Sequence, residues 1–314
     1  MNELINKQEK KNSNTIWYFA LSLVVLLWGL SPINSKFLYD YCSPTMYTLS
    51  MAVITFISLL IINAKKLNLL NSSYFKIAIP TGLALGLAQV LQKIGLQYTT
   101  PSKYAFLENL SCVIIPVLTY IYVRKKPTIF KILGALLCLV GSFILSGLFS
   151  SHANFSVGLG EALCALSGIF YGVNIATTGT YAKKLDSSLY VMIQMAIYSI
   201  LSIASSFILC LPVFGGNMSN VFVFSFNPLF LLWLIAGTLL TSTFCWILRT
   251  KCMQHIDATV IGVVSPCSAV ITGIVSVAIG MESFSFSLLF GGLFAVVAVI
   301  ISAIEPKKKK VENA

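Results

Sequence analysis

Charge is scarce in this chain. Only 10% of its 314 residues are Asp, Glu, Lys or Arg, against roughly 25% in an average soluble domain. With 57% apolar residues and a mean hydropathy of +0.87, a soluble fold would have nowhere to place its apolar surface, so lipid is the implied solvent. Histidine is nearly missing as well: His152 and His255 are the two in the chain. Neither sits in a cluster of carboxylates or nucleophiles, which speaks against a membrane-embedded enzyme and against a metal site. No GxxxxGK[ST] segment occurs, which speaks against a self-contained ATP-driven pump, and no cofactor is implied. The eight cysteines form no CxxC pair and mostly lie inside apolar runs. They read as small membrane-embedded hydrophobes, not as a disulfide framework.

What the chain has is long apolar runs. They predict an all-α integral membrane protein with transmembrane helices over 16–38, 45–63, 75–97, 102–123, 128–149, 157–182, 187–211, 227–249, 256–279 and 284–304. The first run is too long for a signal-peptide core and shows no small-x-small cleavage site, so a retained helix is expected. The tight link from Thr99 to Ser102 must sit at a membrane surface, because irregular backbone is costly at depth.

The formal charge of +11 would suit nucleic acid, but the basic residues lie in short clusters between the apolar runs, and no nucleic-acid partner is expected. With the N-terminus placed in the cytoplasm, the cytoplasmic segments hold Lys7, Lys10, Lys11, Lys65, Lys66, Lys76, Arg124, Lys125, Lys126, Lys131, Lys183, Lys184, Arg249, Lys251 and the run Lys307 to Lys310. These are 18 of the 21 basic residues. The asymmetry predicts an even number of spans, both termini cytoplasmic and a multi-pass protein of the cell membrane. The Lys307 to Lys310 run fixes that end or touches anionic lipid.

The chain also repeats itself. An offset of 157 places Tyr98 on His255, Gly134 on Gly291 and Lys125 on Glu282, and an offset of 143 places Trp28-Gly29 on Tyr171-Gly172. Five spans per copy is an odd number, so the second copy is expected to be inverted in the membrane. The expected organisation is a tail at 1–15, a first repeat at 16–149, a second at 157–304 and a basic tail at 305–314.

At this point the sequence resembles the EamA-type transporters of the drug/metabolite transporter superfamily. The resemblance rests on Leu27-Trp28-Gly29, on Gly95 to Ser102 followed by Ala105-Phe106-Leu107, and on Pro116-Val117 and Leu133-Gly134-Ala135. In the second half it rests on Ile256-Asp257-Ala258, Ser265-Pro266 and Met281-Glu282. Two features depart from the family pattern: basic Arg124-Lys125-Lys126 replaces an acidic position, and Glu108-Asn109 stands where uncharged residues are common. The resemblance implies a ten-helix, two-repeat carrier of small metabolites and leaves the substrate open.

Lys93 and Glu108 are the sharpest signal from the residues themselves. A charge at a helix centre costs roughly 2.5–3.5 kcal/mol on insertion scales. The two lie at similar depth on either side of the turn between the third and fourth spans. They fit either an ion pair across the hairpin or groups facing a central cavity. Gln89, Lys93 and Gln97 recur at steps of four on the third span, with Gly82 and Gly86 on the same face. Ser167, Tyr171, Asn174 and Thr178 form a polar stripe on the sixth span, as do Ser265, Ser268, Thr272 and Ser276 on the ninth. Such stripes serve either helix packing or a ligand. Trp28 and Asn34 flank Pro32, which removes a backbone donor and should bend the first span. Glu161, Asp257 and His255 sit near helix starts, where carboxylates complement the dipole.

The expected binding or coupling set is therefore Glu108, Lys93, Gln89, Trp28, Asn34, Tyr171, Asn174, Asn109, Ser268 and Thr272. The expected function is alternating-access transport of amino acids or related zwitterions, with a proton as the candidate coupling ion. An amine or multidrug exporter is the competing transport reading. A membrane enzyme or an accessory membrane protein is the remote one.

Overall fold

The computed structural model describes residues 2–98, 107–124, 126–145, 158–211, 218–280, 284 and 286–303. Side chains are excepted at 2–14, 32, 36, 93, 96, 97, 123, 145, 218, 219, 288 and 303. The described residues are predominantly helical, and no β-strand forms among them. One antiparallel bridge pairs Cys42 with Phe224.

The main helices are α1 (Asn2–Leu38), α2 (Pro44–Asn63), α3 (Ser72–Tyr98), α4 (Ser111–Val123) and α5 (Ile129–Leu145). They continue with α6 (Leu159–Tyr181), α7 (Ser187–Leu209), α8 (Pro228–His255), α9 (Ala258–Ala278) and α10 (Phe286–Ala303). Among the described residues, seven segments are long and apolar enough to cross a membrane, and three shorter apolar helices accompany them at Ser111–Tyr122, Ile129–Ile144 and Leu289–Ser302. Their outward faces carry large exposed apolar side chains, among them Phe19, Ile61, Val117, Ile200, Trp233, Leu293 and Ile300. So broad an apolar surface requires lipid around it. The protein is a multi-pass membrane protein.

Local chemistry sets the helix starts. Ser43 accepts from the Met46 amide and is followed by Pro44 at the first helical position of α2. Asp186 caps α7 through the amides of Ser188 and Leu189, and Asn227 caps α8 ahead of Pro228. Asp257 caps α9 and receives the Lys131 ammonium from α5 at 2.8 Å. Glu161 accepts from the Gly158 amide at 3.0 Å at the start of α6. Pro80 and Pro116 are carried inside α3 and α4, whereas Ser265-Pro266 splits α9 into Ala258–Val264 and Cys267–Ala278.

The helices pack by close approach of small residues, since lipid offers no hydrophobic drive between helices. α3 lies between α6 and α7, α2 packs on α7, α5 pairs with α10, and α1 packs on α8 and α9. Gly82 and Gly86 sit against α7, at Gln194, Ile197, Tyr198 and Leu201. They therefore serve the α3–α7 contact.

Two differences from the sequence-based expectations matter. α8 extends to His255, six residues past the expected end at 249, which takes Lys251 into the helix and moves Arg249 away from its end. Arg249 is 3% exposed, so it belongs to the bundle interior and not to a cytoplasmic loop. His255, at the C-terminal end of α8, stacks on Trp17 with ring centroids 4.1 Å apart. The 99–102 turn, Lys103, Tyr104, Lys125, the polar stretch 150–156, His152, Glu282 and the Lys307 to Lys310 run lie outside the described residues.

Candidate functional site

The polar interior of the bundle divides into a lock and an open constellation. The lock joins α3, α6 and α7. The Tyr190 hydroxyl meets Thr81 Oγ1 at 2.6 Å and Thr178 Oγ1 at 3.0 Å. Gln194 Nε2 donates to Thr81 Oγ1 and to the Tyr190 hydroxyl, at 3.0 and 3.1 Å. Asn174 Nδ2 donates to the Thr81 carbonyl at 3.0 Å. These side chains are almost fully buried, and a buried polar network satisfied this way fixes helix register. Asn174 and Thr178, two members of the expected α6 stripe, are thus engaged in packing.

Thr272 plays a similar part on α9: its hydroxyl donates to the Gly29 carbonyl at 2.6 Å and to the Ser268 carbonyl at 3.0 Å. Asn109 donates to Ser142 Oγ at 2.7 Å, tying the start of α4 to α5. Asn34 faces α8, where its amide nitrogen would lie 2.6 Å from a side chain at Gly237.

The second constellation gathers one polar or aromatic side chain from each of α1, α3 and α6 and two from α8. The Tyr171 hydroxyl donates to Gln92 Oε1 at 3.2 Å. Across the bundle, Trp28 and Trp246 lie with ring centroids 5.4 Å apart. The Arg249 guanidinium carbon sits 5.6 Å from the Trp28 ring centre and 4.8 Å from that of Trp246. That places a cation on two indole quadrupoles. The Arg249 Nε is buried with no hydrogen-bond partner among the described residues.

A π turn at Leu239–Phe244 positions this part of α8. Such turns are common at functional sites. Here the Thr241 carbonyl accepts from Trp28 Nε1 at 2.9 Å. Ser242 and Thr243 bond Thr55 and Ser58 of α2, at 2.9 and 2.7 Å. The indole that faces the guanidinium is therefore held by the backbone of the helix carrying it.

Glu108 precedes α4 and is half-buried. Gly168 of α6 admits it: a side chain there would lie 2.6 Å from the Leu107 carbonyl oxygen and 2.9 Å from that of Glu108. Gly168 lies one helical turn before Tyr171, and Tyr171 packs on the same hydrophobic cluster as Trp28 and Trp246. Gln89 lies half-buried on α3, and Lys93 is on the same helix with its side chain outside the described residues.

Among the expected residues, the structure brings Trp28, Tyr171 and Glu108 toward one centre. It places Asn174, Asn109, Ser268 and Thr272 at helix contacts. Gln92, Trp246 and Arg249 were not in the expected set. The signal for Arg249 was present, because the 157 offset places it on Gln92, within the polar stretch of α3. An apolar cavity of 360 Å³ between α2 and α8, lined by Met46, Val53, Leu231 and Ile235 among others, lies away from this centre. Among the described residues no three His, Cys, Asp or Glu side chains stand close enough to hold a metal ion.

Residues 15–147 match the EamA-like transporter family. The chain is 24% identical over 285 residues to a protein of Archaeoglobus fulgidus described as an uncharacterized transporter, covering 91% of this chain and 85% of that one. A solved crystal structure of a protein shares the fold, with a TM-score of 0.72 at 13% identity, over 92% of this chain and 96% of that one. The chain is thus similar to EamA-like transporters over its first half and to a protein described as a transporter over most of its length.

Proposed function

From an EamA-like first half, we propose that the chain is a ten-helix secondary carrier. In this reading two inverted five-helix repeats alternate around the Trp28, Gln92, Tyr171 and Arg249 centre. The observation that carries the proposal is that contacts recur when the halves are exchanged, with α1 and α2 shifted by 143 and α3 to α5 by 157.

Gly29 meets Ile271 and Ser268 of α9, and its counterpart Gly172 meets Ile114 and Ser111 of α4, the matching residues. Ser35 bonds the Tyr47 hydroxyl, and Thr178 bonds that of Tyr190. Ser43 caps α2 on the Met46 amide, and Asp186 caps α7 on that of Leu189. Gly134 approaches Ala298, and Gly141 approaches Gly291, the same contact seen from the other copy. Tyr171 on Gln92 has its counterpart in Trp28 on Arg249. Two copies of one packing scheme offer two nearly equivalent arrangements, which is what alternating access needs.

The proposed cargo is an amino acid or related zwitterion. Glu108 supplies the negative charge for an ammonium or a coupling proton, and the aromatic walls enclose the rest. The positive-inside asymmetry supports a cell-membrane location with both termini cytoplasmic. The test is counterflow in proteoliposomes loaded with unlabelled amino acids. Accumulation of labelled amino acid, reduced by Glu108→Gln in a variant that folds normally, supports the reading. Counterflow of cationic amines alone shifts it to an amine exporter. Full amino-acid exchange by Glu108→Gln removes Glu108 from the mechanism.

A further inference from the structure

We infer that Arg249 is the anchor for a carboxylate, held open by the Trp28 and Trp246 indoles. A guanidinium 3% exposed inside a helix bundle is costly unless something compensates it. Ordinarily that is an acidic partner, but no ion pair joins Arg249 to a carboxylate among the described residues. Two indole faces take its place, at 4.8 and 5.6 Å. The guanidinium carbon lies over the two rings, and its Nε–H has no partner among the described residues. Planar paired donors in a dry site are matched by a planar anion with two acceptors, and the carboxylate is that group.

The neighbourhood fits a carboxylate that belongs to a small organic molecule. The phenols of the bundle interior, Tyr171 and Tyr190, have their hydroxyls engaged with Gln92 and with Thr81 and Thr178, so neither supplies a counter-charge to Arg249. Glu108 packs against Gly168, one helical turn before Tyr171 on α6, and so brings an acidic residue toward the same region. The repeat adds a comparison: the position equivalent to Arg249 is Gln92, whose oxygen already accepts from Tyr171. One copy thus closes its polar contact internally, and the other presents a cation without an acceptor. The bundle is asymmetric at the one place where a ligand would need it to be.

This deepens the transporter reading by assigning the carboxylate end of its cargo. The test measures binding and so is separable from transport. The probes are leucine, 4-methylpentanoate, leucinamide and isopentylamine, added to the purified full chain, with the melting temperature followed for each, since binding to the folded form must raise it. Leucine and 4-methylpentanoate are expected to raise it, with leucinamide and isopentylamine about 10- to 100-fold weaker. Arg249→Gln is expected to abolish the carboxylate response. Arg249→Lys, which keeps the cation but loses the fork, is expected to weaken it about tenfold.

A readout in the unaltered protein guards against variants that fail to fold. Two of the four tryptophans border the guanidinium, so saturating carboxylate should change indole emission and leucinamide should not. Equal responses to leucine and leucinamide overturn the inference, as does a folded Arg249→Gln that keeps the carboxylate shift, or silence from both acids. In those cases counterflow of any solute still upholds the carrier. Carboxylate binding without counterflow of any solute would instead uphold the anchor and sink the carrier.

Discussion

Gly29 offers a sharp test of the packing, because its counterpart Gly172 serves as an internal control. A Cβ at Gly29 would lie 2.7 Å from Ile271 Cβ, 2.8 Å from its Cγ2 and 2.9 Å from the Ser268 carbonyl oxygen. Carbon contacts settle at about 3.5–4.0 Å, and both a backbone oxygen and a β-branched stem are in the way. Neither can rotate aside, so α1 and α9 must part by about 1 Å. That movement also stretches the 2.6 Å bond from Thr272 to the Gly29 carbonyl.

Overpacking costs about 1–3 kcal/mol, and a weakened interhelical hydrogen bond adds about 0.6 kcal/mol. Alanine returns about 0.5–1 kcal/mol through helix propensity. Gly29→Ala is therefore expected to lose about 1–3 kcal/mol. At Gly172 the nearest atoms are the Ile114 Cγ2 and Cβ at 3.0 and 3.2 Å, with backbone first at 3.7 Å. A few tenths of an ångström of movement suffices there, so Gly172→Ala should stay within about 0.5 kcal/mol of the parent. Thermal unfolding of both variants in the same detergent reads the difference as a melting-temperature gap of at least about 1 °C. Equal stability of the two variants, or a larger loss at Gly172, would refute the packing argument.

Individual contacts give further expected outcomes. Tyr190→Phe removes a hydroxyl shared by Thr81, Thr178 and Gln194, and should cost about 1–3 kcal/mol in thermal unfolding; an unchanged melting temperature would show the network to be dispensable. A double-mutant cycle on Asn109→Ala and Ser142→Ala, bonded at 2.7 Å, should give a coupling of about 0.6 kcal/mol, and zero coupling would count against that bond. Asp186 ties stability to pH: partial burial opposes its ionisation, but hydrogen bonds from Ser188, Lys66 and the Leu189 amide outweigh this and hold its carboxyl at about 2 against an ordinary 3.8. A depressed folded value means the contribution is full above the ordinary value and is lost as pH falls toward the folded one. Asp186→Ala should therefore lose about 1 kcal/mol at pH 7, and its gap to the parent should close toward pH 2; a gap that persists in acid would contradict the assignment.

Composition and pattern alone determined that this chain lives in lipid and is helical, because apolar runs with so few charges have no other stable arrangement. Helix starts were equally local: Ser43-Pro44, Asp186, Asn227-Pro228 and Asp257 each cap the helix just after them, bonding amides two or three residues along the chain. The pairing of Trp28-Gly29 with Tyr171-Gly172 could also be seen by aligning the chain with itself. What sequence could not decide was which polar residues face each other. Asn174, Thr178 and Thr272 lie on stripes that read equally as ligand or as packing, and only the neighbouring helix settles that they bond Thr81, Tyr190 and Gly29. Arg249 shows the same limit most clearly. In one dimension it is a basic residue near a helix end, set apart from Lys251 only by its repeat alignment with Gln92. The extension of α8 to His255 and the crossing of α1 turn it inward between two indoles. Burial and counter-charge are properties of distance in space, and those distances are set by helices brought together from opposite halves of the chain.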